Sequence, residues 1–380
     1  MNQILDFLAT CERRLNATDR INMRALLMAA SLDSTDPLPI HNLARECRRR
    51  GYSDLWRNGI EIALAMPHFT AKQFFRRASA KLTLDEWSGW DDREVRLLDP
   101  DMRLYRDARI RRMQWSKLAW NGKEDLSDQT IFVIGDGGYG DGIQMLRFAP
   151  ALAHVAAKVI LSVRRELVSL AEHNCGNAVR VVCQDDEQFP SFEWYTWNMS
   201  LPALFGAIPP FVPLTAPHPI VRSNCRPRRL QIGVCWAGNP NHPMDCHRSL
   251  PLELLAPLFL REAIEWHSLQ AGARAADAAA FNNVLPPVTP LTTFADTANV
   301  MTGLDCVVTV DTAVAHLAGS LGVPTLLLLS FASEYRWGLH EKTPWYPSMR
   351  LVRQHRPDEW GAVIDAVIVD LDARVAAHMI

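Results

Sequence analysis

Three short segments of this chain carry residue types whose spacing suits phosphate binding and proton removal. The first is the glycine-rich run Gly135–Gly142, in which Asp141 directly precedes a helical pattern. Glycines let a backbone approach a ligand closely, and a carboxylate at such a place can accept a proton from a substrate hydroxyl. An Asp at this position can equally cap the helix that follows. Both roles are open for Asp141.

The second segment, Ala237–Pro251, combines turn residues with a cationic side chain. Gly238 and Asn239 favour a turn whose N–H groups point at an anion. The guanidinium of Arg248 can bond two phosphate oxygens at once, which makes it the candidate phosphate clamp. Ser249 either donates to the same phosphate or caps the next helix, and capping is the commoner role for serine.

The third segment follows the apolar run Cys306–Val310, which predicts a buried parallel strand. A strand that enters a helix through Asp311 and Thr312 leaves the first N–H groups of the helix, from Ala313 onward, without helical partners. Such a helix end attracts phosphate. His316, one turn into the helix, adds a further donor. An ordinary Asp/Thr cap with a buried histidine explains this segment alone about equally well.

All three segments lie where a predicted strand ends. Strands and helices alternate over residues 119–215 and again over 228–355, which predicts two doubly wound, Rossmann-like domains that face one another across a cleft. The Pro-rich stretch 209–227 predicts a linker between them. Residues 356–380 predict a final helix, for which a return to the first of these domains is left open. Ligands of such sheets bind beyond the carboxyl ends of the strands.

Residues 1–118 have apolar residues at helical spacing and predict an α-helical, repeat-like region with a hairpin around Gly51. The pattern is similar to a tetratricopeptide array but lacks a regular period of roughly 34 residues. Residues 1–123 contain 22 Lys and Arg against 16 Asp and Glu, whereas the rest of the chain contains 18 against 26. This basic excess favours a separate module that meets an acidic partner, although solvated helix faces explain it nearly as well.

The composition excludes several classes of protein. With 380 residues the chain is long enough for two or three domains, and its net charge of −2 gives no reason to expect a nucleic-acid partner. The eight cysteines are scattered without a Cys-x-x-Cys pair, so neither a disulfide framework nor a zinc site is expected. His242 and His247 have no carboxylate at ligand spacing. The absence of a signal-peptide pattern and of a long apolar run predicts a cytoplasmic protein.

The three segments together resemble bacterial glycosyltransferases of the heptosyltransferase type, in the branch where a helical-repeat region precedes the transferase. Gly140-Asp141 resembles the Gly-Asp that follows the first strand of that family. The blocks Trp236–His242 and Arg248–Pro251 resemble its Trp-Ala-Gly-Asn-Pro-x-His and Arg-Ser-Leu-Pro motifs. Asp311–His316 resembles its Asp-Thr-(Gly/Ala)-x-x-His motif. The resemblance covers roughly residues 118–355.

This resemblance implies a GT-B fold, with two Rossmann-like domains facing across a cleft, and an inverting transfer of a sugar from a nucleoside-diphosphate donor. Asp141 would be the general base, and Gln270 would lie where relatives bind a sugar or ribose. No cofactor and no metal ion are implied, and the acceptor would be a hydroxyl of a glycan, a lipid-linked molecule or a protein, with peripheral membrane association left open. The implied donor-binding residues are Gly238, Asn239, Arg248, Ser249, Gln270, Asp311, Thr312, Ala313 and His316.

Two other functions fit the same patterns. A sugar-nucleotide epimerase or hydrolase of this fold would need further acid and base groups, for which Asp136, Asp245 and His247 are the nearby candidates. A non-catalytic protein would retain only nucleotide affinity and use the helical region as a scaffold. The behaviour of a variant at Asp141 separates these possibilities from a transferase.

Overall fold

In the computed structural model, the described residues are 2–32, 35–68, 70–98, 118–186, 188–220 and 229–378. They form two compact units. The first contains the N-terminal helices together with Ser330–Leu339 and Gln354–Glu359, and the second contains two parallel β-sheets and the C-terminal helix. Residues 221–228, which hold the end of the predicted linker and the predicted start of the second sheet domain, lie outside the described residues.

The described N-terminal residues of the first unit are α-helical, as predicted, while residues 99–117 of the predicted helical region lie outside the described residues. The helices of this unit are α1 (Asn2–Arg14), α2 (Ala17–Leu32), α3 (Pro37–Arg49), α4 (Ser53–Ala65), α5 (Ala71–Thr83) and α6 (Gly89–Arg93). The predicted hairpin joins α3 and α4 at Gly51, whose φ of +87° is a left-handed conformation that glycine adopts without steric cost. The helices share one core, which includes Phe7, Met23 and Leu43.

The first sheet contains β1 (Leu118–Ala119), β2 (Leu126–Ile134), β3 (Ala156–Val163), β4 (Val179–Cys183) and β5 (Trp194–Trp197), in the order β1-β5-β2-β3-β4. Its helices are α7 (Tyr139–Met145), α8 (Ala149–Val155), α9 (Val168–Cys175) and α10 (Leu201–Phe205). The pattern predicts one helix over 143–156, which is wrong in detail. A 3-10 turn, Leu146–Phe148, separates α7 from α8. Pro150, near the start of α8, lacks the N–H that would continue the hydrogen-bond ladder.

The second sheet contains β6 (Leu230–Cys235), β7 (Ile264–Ser268), β8 (Val284–Leu285), β9 (Cys306–Val310), β10 (Thr325–Leu329) and β11 (Met349–Arg353), in the order β11-β10-β9-β6-β7-β8. Its helices are α11 (Asp245–Arg248), α12 (Ala256–Phe259), α13 (Phe294–Met301), α14 (Ala313–Ser320) and α15 (Gly361–His378). Both sheets are parallel throughout, so their carboxyl ends each lie at one edge.

Short 3-10 segments complete the chain: Glu94–Leu97, Leu146–Phe148, Arg165–Leu167, Asn198–Ser200, Leu252–Leu255, Ala273–Ala280 and Tyr335–Trp337. Helix α15 buries Val363, Val367 and Leu371 in the core of the second sheet. No helix within the described ranges is both long and apolar enough to span a membrane. The predicted fold class, α/β with two parallel sheets after a helical region, is confirmed.

Candidate active site

The two sheets meet where α7 packs against α14. Gly140, in the first turn of α7, lies against the ring of His316 in α14. A Cβ at residue 140 would be 2.5 Å from Cδ2 and 3.1 Å from Nε2 of that ring. Only glycine leaves room for this approach, because carbon atoms in ordinary contact are about 3.5–4.0 Å apart. The contact fixes Asp141, the next residue along the chain, beside the start of α14.

Asp141 is half-buried in the first turn of α7, and its Oδ2 accepts a hydrogen bond of 2.5 Å from the backbone N–H of Gly138. Gly137 has a φ of +88°, which a residue with a Cβ rarely adopts. A side chain there would also overlap the Asp141 carboxylate. The carboxylate therefore occupies a defined position, where it closes the glycine loop and faces the second sheet's loops.

The second segment is organised by Asp245, at the start of the short helix α11. Its Oδ1 accepts hydrogen bonds from Ser249 Oγ at 2.8 Å and from Arg248 Nε at 3.3 Å. Ser249 Oγ in turn accepts from the backbone N–H of Gly238 at 2.9 Å. The expectation that Ser249 caps the next helix is wrong. Its hydroxyl makes the hydrogen bonds to Asp245 and Gly238 instead, and the 3-10 turn that begins at Leu252 has no side-chain cap.

Arg248 is held over the backbone of Gly238. A Cβ at residue 238 would be 2.7 Å from Arg248 Nη2 and 3.0 Å from Asp245 Oδ1, so a side chain there would displace the guanidinium from this position. Asp245 engages Nε and leaves the outer nitrogens for other partners. Asn239 is exposed, and its Oδ1 accepts a hydrogen bond of 3.0 Å from the backbone N–H of Asn241. This bond stabilises the turn at the start of the loop.

His242 connects the two sheets electrostatically. Its pKa is lowered from the ordinary value, first by burial and then by the nearby Arg248 guanidinium. The carboxylates of Asp311, Asp245 and Asp141 act in the opposite direction. The candidate base of the first sheet and the candidate phosphate ligands of the second sheet therefore act on one imidazole.

The tautomer of His242 follows from its hydrogen bond. Its Nδ1 accepts from the backbone N–H of Met244 at 3.2 Å, so in the neutral ring Nε2 carries the proton and is a donor. From the sequence, His242 was judged only as a possible metal ligand and was given no other role. The signal that could have identified it is its place in a loop that also holds Arg248.

The first turn of α14 has the predicted cap. Thr312 is the N-cap residue, and its Oγ1 accepts from the backbone N–H of Val314 at 3.2 Å. Ala313 is half-exposed at the first helical position. Asp311 lies within the field of Arg353, whose pKa burial lowers to about 10 while Asp311 acts in the opposite direction. Arg353 ends β11, an unpredicted strand, and was therefore missed.

His316 has other neighbours than its predicted role requires. It is only 3% exposed, and its Nδ1 lies 2.8 Å from the hydroxyl of Tyr346. Gly319, one turn later, packs on the ring of the same tyrosine. His316 thus lies between Gly140 and Tyr346, and its contact with a donor phosphate stays a prediction.

Gln270 follows β7 and bonds the loop after β6. Its Oε1 accepts from the N–H groups of Trp236 at 3.1 Å and of Ala237 at 2.9 Å, and its Nε2 donates to the carbonyl of Ala237 at 3.0 Å. The predicted recognition of a sugar hydroxyl would compete with these bonds. In the structure, Gln270 positions the backbone that leads to Gly238.

The residues proposed for other chemistry are placed differently. Asp136 accepts from the N–H of Met199 at 3.1 Å, and its own N–H donates to Asn198 at 3.0 Å, so it anchors the glycine loop to the end of β5. His247 is exposed. Within the described ranges, no cluster of three or more His, Cys, Asp or Glu side chains could hold a metal ion.

Comparisons with known proteins follow this geometry. Residues 265–361 match the model of glycosyltransferase family 9 (heptosyltransferase). This range includes Gln270 and the α14 segment but not Asp141 or the loop with Arg248. Comparison with curated protein sequences finds no match.

Several solved structures have a similar course of the chain. They include a family 9 glycosyl transferase from Veillonella parvula (12% identity, TM-score 0.48, covering 67% of this chain and 99% of that one). The E. coli heptosyltransferase WaaC with ADP-2-deoxy-2-fluoro heptose has 13% identity and a TM-score of 0.44, and the match covers 64% of this chain and 99% of that one. The E. coli ADP-heptose LPS heptosyltransferase II has 12% identity and a TM-score of 0.43, and the match covers 66% of this chain and 100% of that one. No functional conclusion is drawn from similarities at this level. The family model supports the resemblance for the third of the three segments, since residues 265–361, which match glycosyltransferase family 9 (heptosyltransferase), include Asp311–His316.

Proposed function

We propose that this protein is an inverting glycosyltransferase that moves a sugar from a nucleoside-diphosphate donor to a hydroxyl acceptor. One observation carries the proposal. Gly140 of α7 packs on the ring of His316 in α14, which brings the neighbouring Asp141 to the second sheet, where its carboxylate and the Arg248 guanidinium both act on the imidazole of His242. A proton acceptor and a cation suited to phosphate thus belong to one site, as a displacement with a phosphate leaving group requires.

In the reaction, the acceptor oxygen forms a bond to the anomeric carbon while the bond from that carbon to the donor phosphate breaks. Asp141 accepts the hydroxyl proton, and the nucleoside diphosphate leaves with the bonding electrons. Base and leaving group lie on opposite faces of the sugar, so the configuration at the anomeric carbon inverts. A positioned base contributes about 10²–10⁴-fold to such a step.

The protein's own donors neutralise the leaving group. Arg248 offers its outer nitrogens, His242 offers Nε2–H, and the first turn of α14 offers backbone N–H groups. Arg353 adds positive charge beside Asp311. These groups supply the stabilisation that other transferases obtain from a divalent cation, and we therefore propose that turnover does not depend on a metal ion.

The non-catalytic alternative is favoured by one contact, the hydrogen bond from Gly138 to Asp141, since a carboxylate could be retained there only to hold the loop. The variant Asp141→Asn decides between the two, because an amide oxygen still accepts this bond but the group cannot take a proton. Asp128→Asn, at an exposed position of β2, is the matched control.

The experiment has two stages. Calorimetric titration with nucleoside diphosphates first identifies the nucleotide that binds, and turnover of its sugar derivatives is then measured. Asp141→Asn should bind the nucleotide like the parent protein but lose at least about 100-fold in turnover, while Asp128→Asn should keep full turnover. Unchanged turnover in Asp141→Asn would show that another group is the base or that the chemistry is different.

A further inference from the structure

The N-terminal helical unit has a face that the proposed transfer reaction does not use. Helices α3 and α5 pack against each other and begin side by side, since Gln73 Nε2 donates a 2.7 Å hydrogen bond to Asp36, the N-cap residue of α3. From this shared start, His41, Arg45 and Arg49 recur every four residues along α3. Residues with this spacing lie on one face of a helix.

Arg76 of α5 faces the same stripe, as the charges show. Burial, together with the neighbouring Arg76 and Arg49, lowers the pKa of Arg45 to about 10, and Glu46 acts in the opposite direction. Burial and Arg49 also lower the pKa of Arg76. Three guanidinium groups from two helices therefore lie within each other's field in a partly dehydrated place.

Two of these cations, Arg45 and Arg76, have no carboxylate partner over the ranges that the structure describes. The Nε atoms of Arg45 and Arg76 are buried without a hydrogen-bond partner among the residues that the structure describes. Glu46 is the nearby acid, and it is engaged by Arg49 at 3.5 Å and by Arg50 at 3.0 Å. Burying like charges without partners is costly, so a protein retains such an arrangement where an anion completes it.

His41 adds a polar group to the same face. It is 2% exposed, and its Nε2 lies 3.1 Å from Nε2 of His68. His68 Nδ1 donates to the carbonyl of Met66 at 2.7 Å, so in the neutral rings His41 Nε2 is the donor and His41 Nδ1 is left as an acceptor. Within the described part of the chain that buried Nδ1 has no partner. It suits a ligand that also carries a hydroxyl proton.

We propose that this face, formed by His41, Arg45, Arg49 and Arg76 and called here the arginine face, binds a phosphate or a phosphate monoester. The guanidinium groups of Arg45 and Arg76, with Arg49 beside them, favour a dianion over a single carboxylate, because one carboxylate would compensate only one of the two charges. Guanidinium forks also match the spacing of phosphate oxygens. The site is independent of the proposed donor site and stands whether or not the transfer reaction is correct.

The test uses the full-length protein with inorganic phosphate as the probe and sodium chloride at equal ionic strength as reference. Hydrogen exchange of peptides from α3 and α5 reports binding locally, and titration calorimetry gives the dissociation constant. Phosphate should slow exchange in both helices. The double variant Arg45→Gln/Arg76→Gln should weaken binding at least about tenfold, whereas Arg57→Gln, at an exposed position of α4, should bind like the parent protein.

The thermal stability of the double variant separates phosphate binding from a purely structural role, because arginines that only hold the fold together would make the variant less stable. Without phosphate, Arg45→Gln/Arg76→Gln should be at least as thermally stable as the parent protein, because it removes two buried charges that repel each other. A double variant that is less stable and still binds phosphate normally would overturn the proposal. So would protection by phosphate that chloride reproduces.

Two further arms complete the design. Arg248→Ala removes the cation of the donor site and should leave the phosphate-dependent protection of α3 and α5 intact. Loss of that protection would place the phosphate elsewhere and refute the arginine face. Comparison of inorganic phosphate with a hexose 1-phosphate identifies the source, since tighter binding of the monoester would show that the phosphoryl group belongs to a sugar.

Discussion

The variant Gly140→Ala tests whether the first turn of α7 must approach α14 for the reaction. A methyl group at residue 140 would lie 2.5 Å from Cδ2 of His316, about 1 Å closer than carbon atoms tolerate. The His316 ring cannot easily turn away, because its Nδ1 is hydrogen-bonded to the hydroxyl of Tyr346 at 2.8 Å and the residue is only 3% exposed. Overpacking of this kind costs about 1–3 kcal/mol.

If catalysis requires the close approach of α7 to α14, the overpacking energy of the variant raises the free energy of the transition state. A loss of 1–3 kcal/mol corresponds to a fall in kcat/KM of about 5-fold to 150-fold. Donor binding should change less, because Arg248 and Thr312 both belong to the second sheet. Alanine is also a better helix former than glycine by about 1 kcal/mol, so a loss of activity could not be attributed to a weaker α7.

The assay measures kcat/KM for transfer beside the dissociation constant of the nucleoside diphosphate. Gly142→Ala is the matched control, since its Cβ would lie 2.7 Å from the flexible end of Leu167 rather than from a residue of the second sheet. It should keep kcat/KM within about threefold of the parent value, because the overlap falls on the end of the Leu167 side chain, which can shift without moving a residue of the second sheet. Full activity of Gly140→Ala, or an equal loss in both variants, would refute the reasoning.

Three further predictions follow from the charges. Arg248→Ala should weaken nucleoside-diphosphate binding by about 10-fold to 150-fold, the value of a charged hydrogen bond, and leave nucleoside binding nearly unchanged; equal losses in titration calorimetry would exclude a phosphate contact. Treatment with EDTA should leave the turnover rate unchanged, and a strict requirement for Mg²⁺ or Mn²⁺ would contradict the proposed charge neutralisation. The third concerns His41, whose pKa burial holds at about 3, below its ordinary 6.5. His41 stays neutral in the folded protein but gains a proton in the unfolded chain. Its contribution to the free energy of unfolding should therefore be fully present above pH 6.5 and be lost towards pH 3, with a loss of about 2 kcal/mol at pH 5. Thermal unfolding of the parent protein and of His41→Gln at several pH values checks this, and the same pH dependence in both would refute it.

The central strands could be predicted from the sequence, and the strands added beside them could not. β9 has the predicted bounds, because both of its faces are covered and the chain there is continuously apolar. β5 has only four residues, and its pairing partners β1 and β2 are distant in the chain. Local periodicity carries no information on such pairing. β11, which was missed as well, brings Arg353 to the site.

The site shows a similar division. Sequence patterns predicted Asp141, Arg248 and Thr312 as candidates, because each lies in a segment that follows a predicted strand and has a recognisable local chemistry. They did not identify the partners that hold these residues. Asp245, which orients Arg248, was weighed only as an acid or base. Gln270 was assigned to a ligand, although its amide bonds the backbone after the neighbouring strand. Which of two roles a polar side chain has depends on the three-dimensional packing.

The strand order of the first sheet has a consequence for how the chain is made. β1 pairs only with β5, which leaves the ribosome about 75 residues later. Until then the N-terminal helices, whose contacts are mostly local, are free to fold first, while β2 presents the edge that β5 will cover. During this interval the nascent chain exposes a hydrophobic strand edge, so the risk of misassembly during synthesis is concentrated between the emergence of β2 and that of β5.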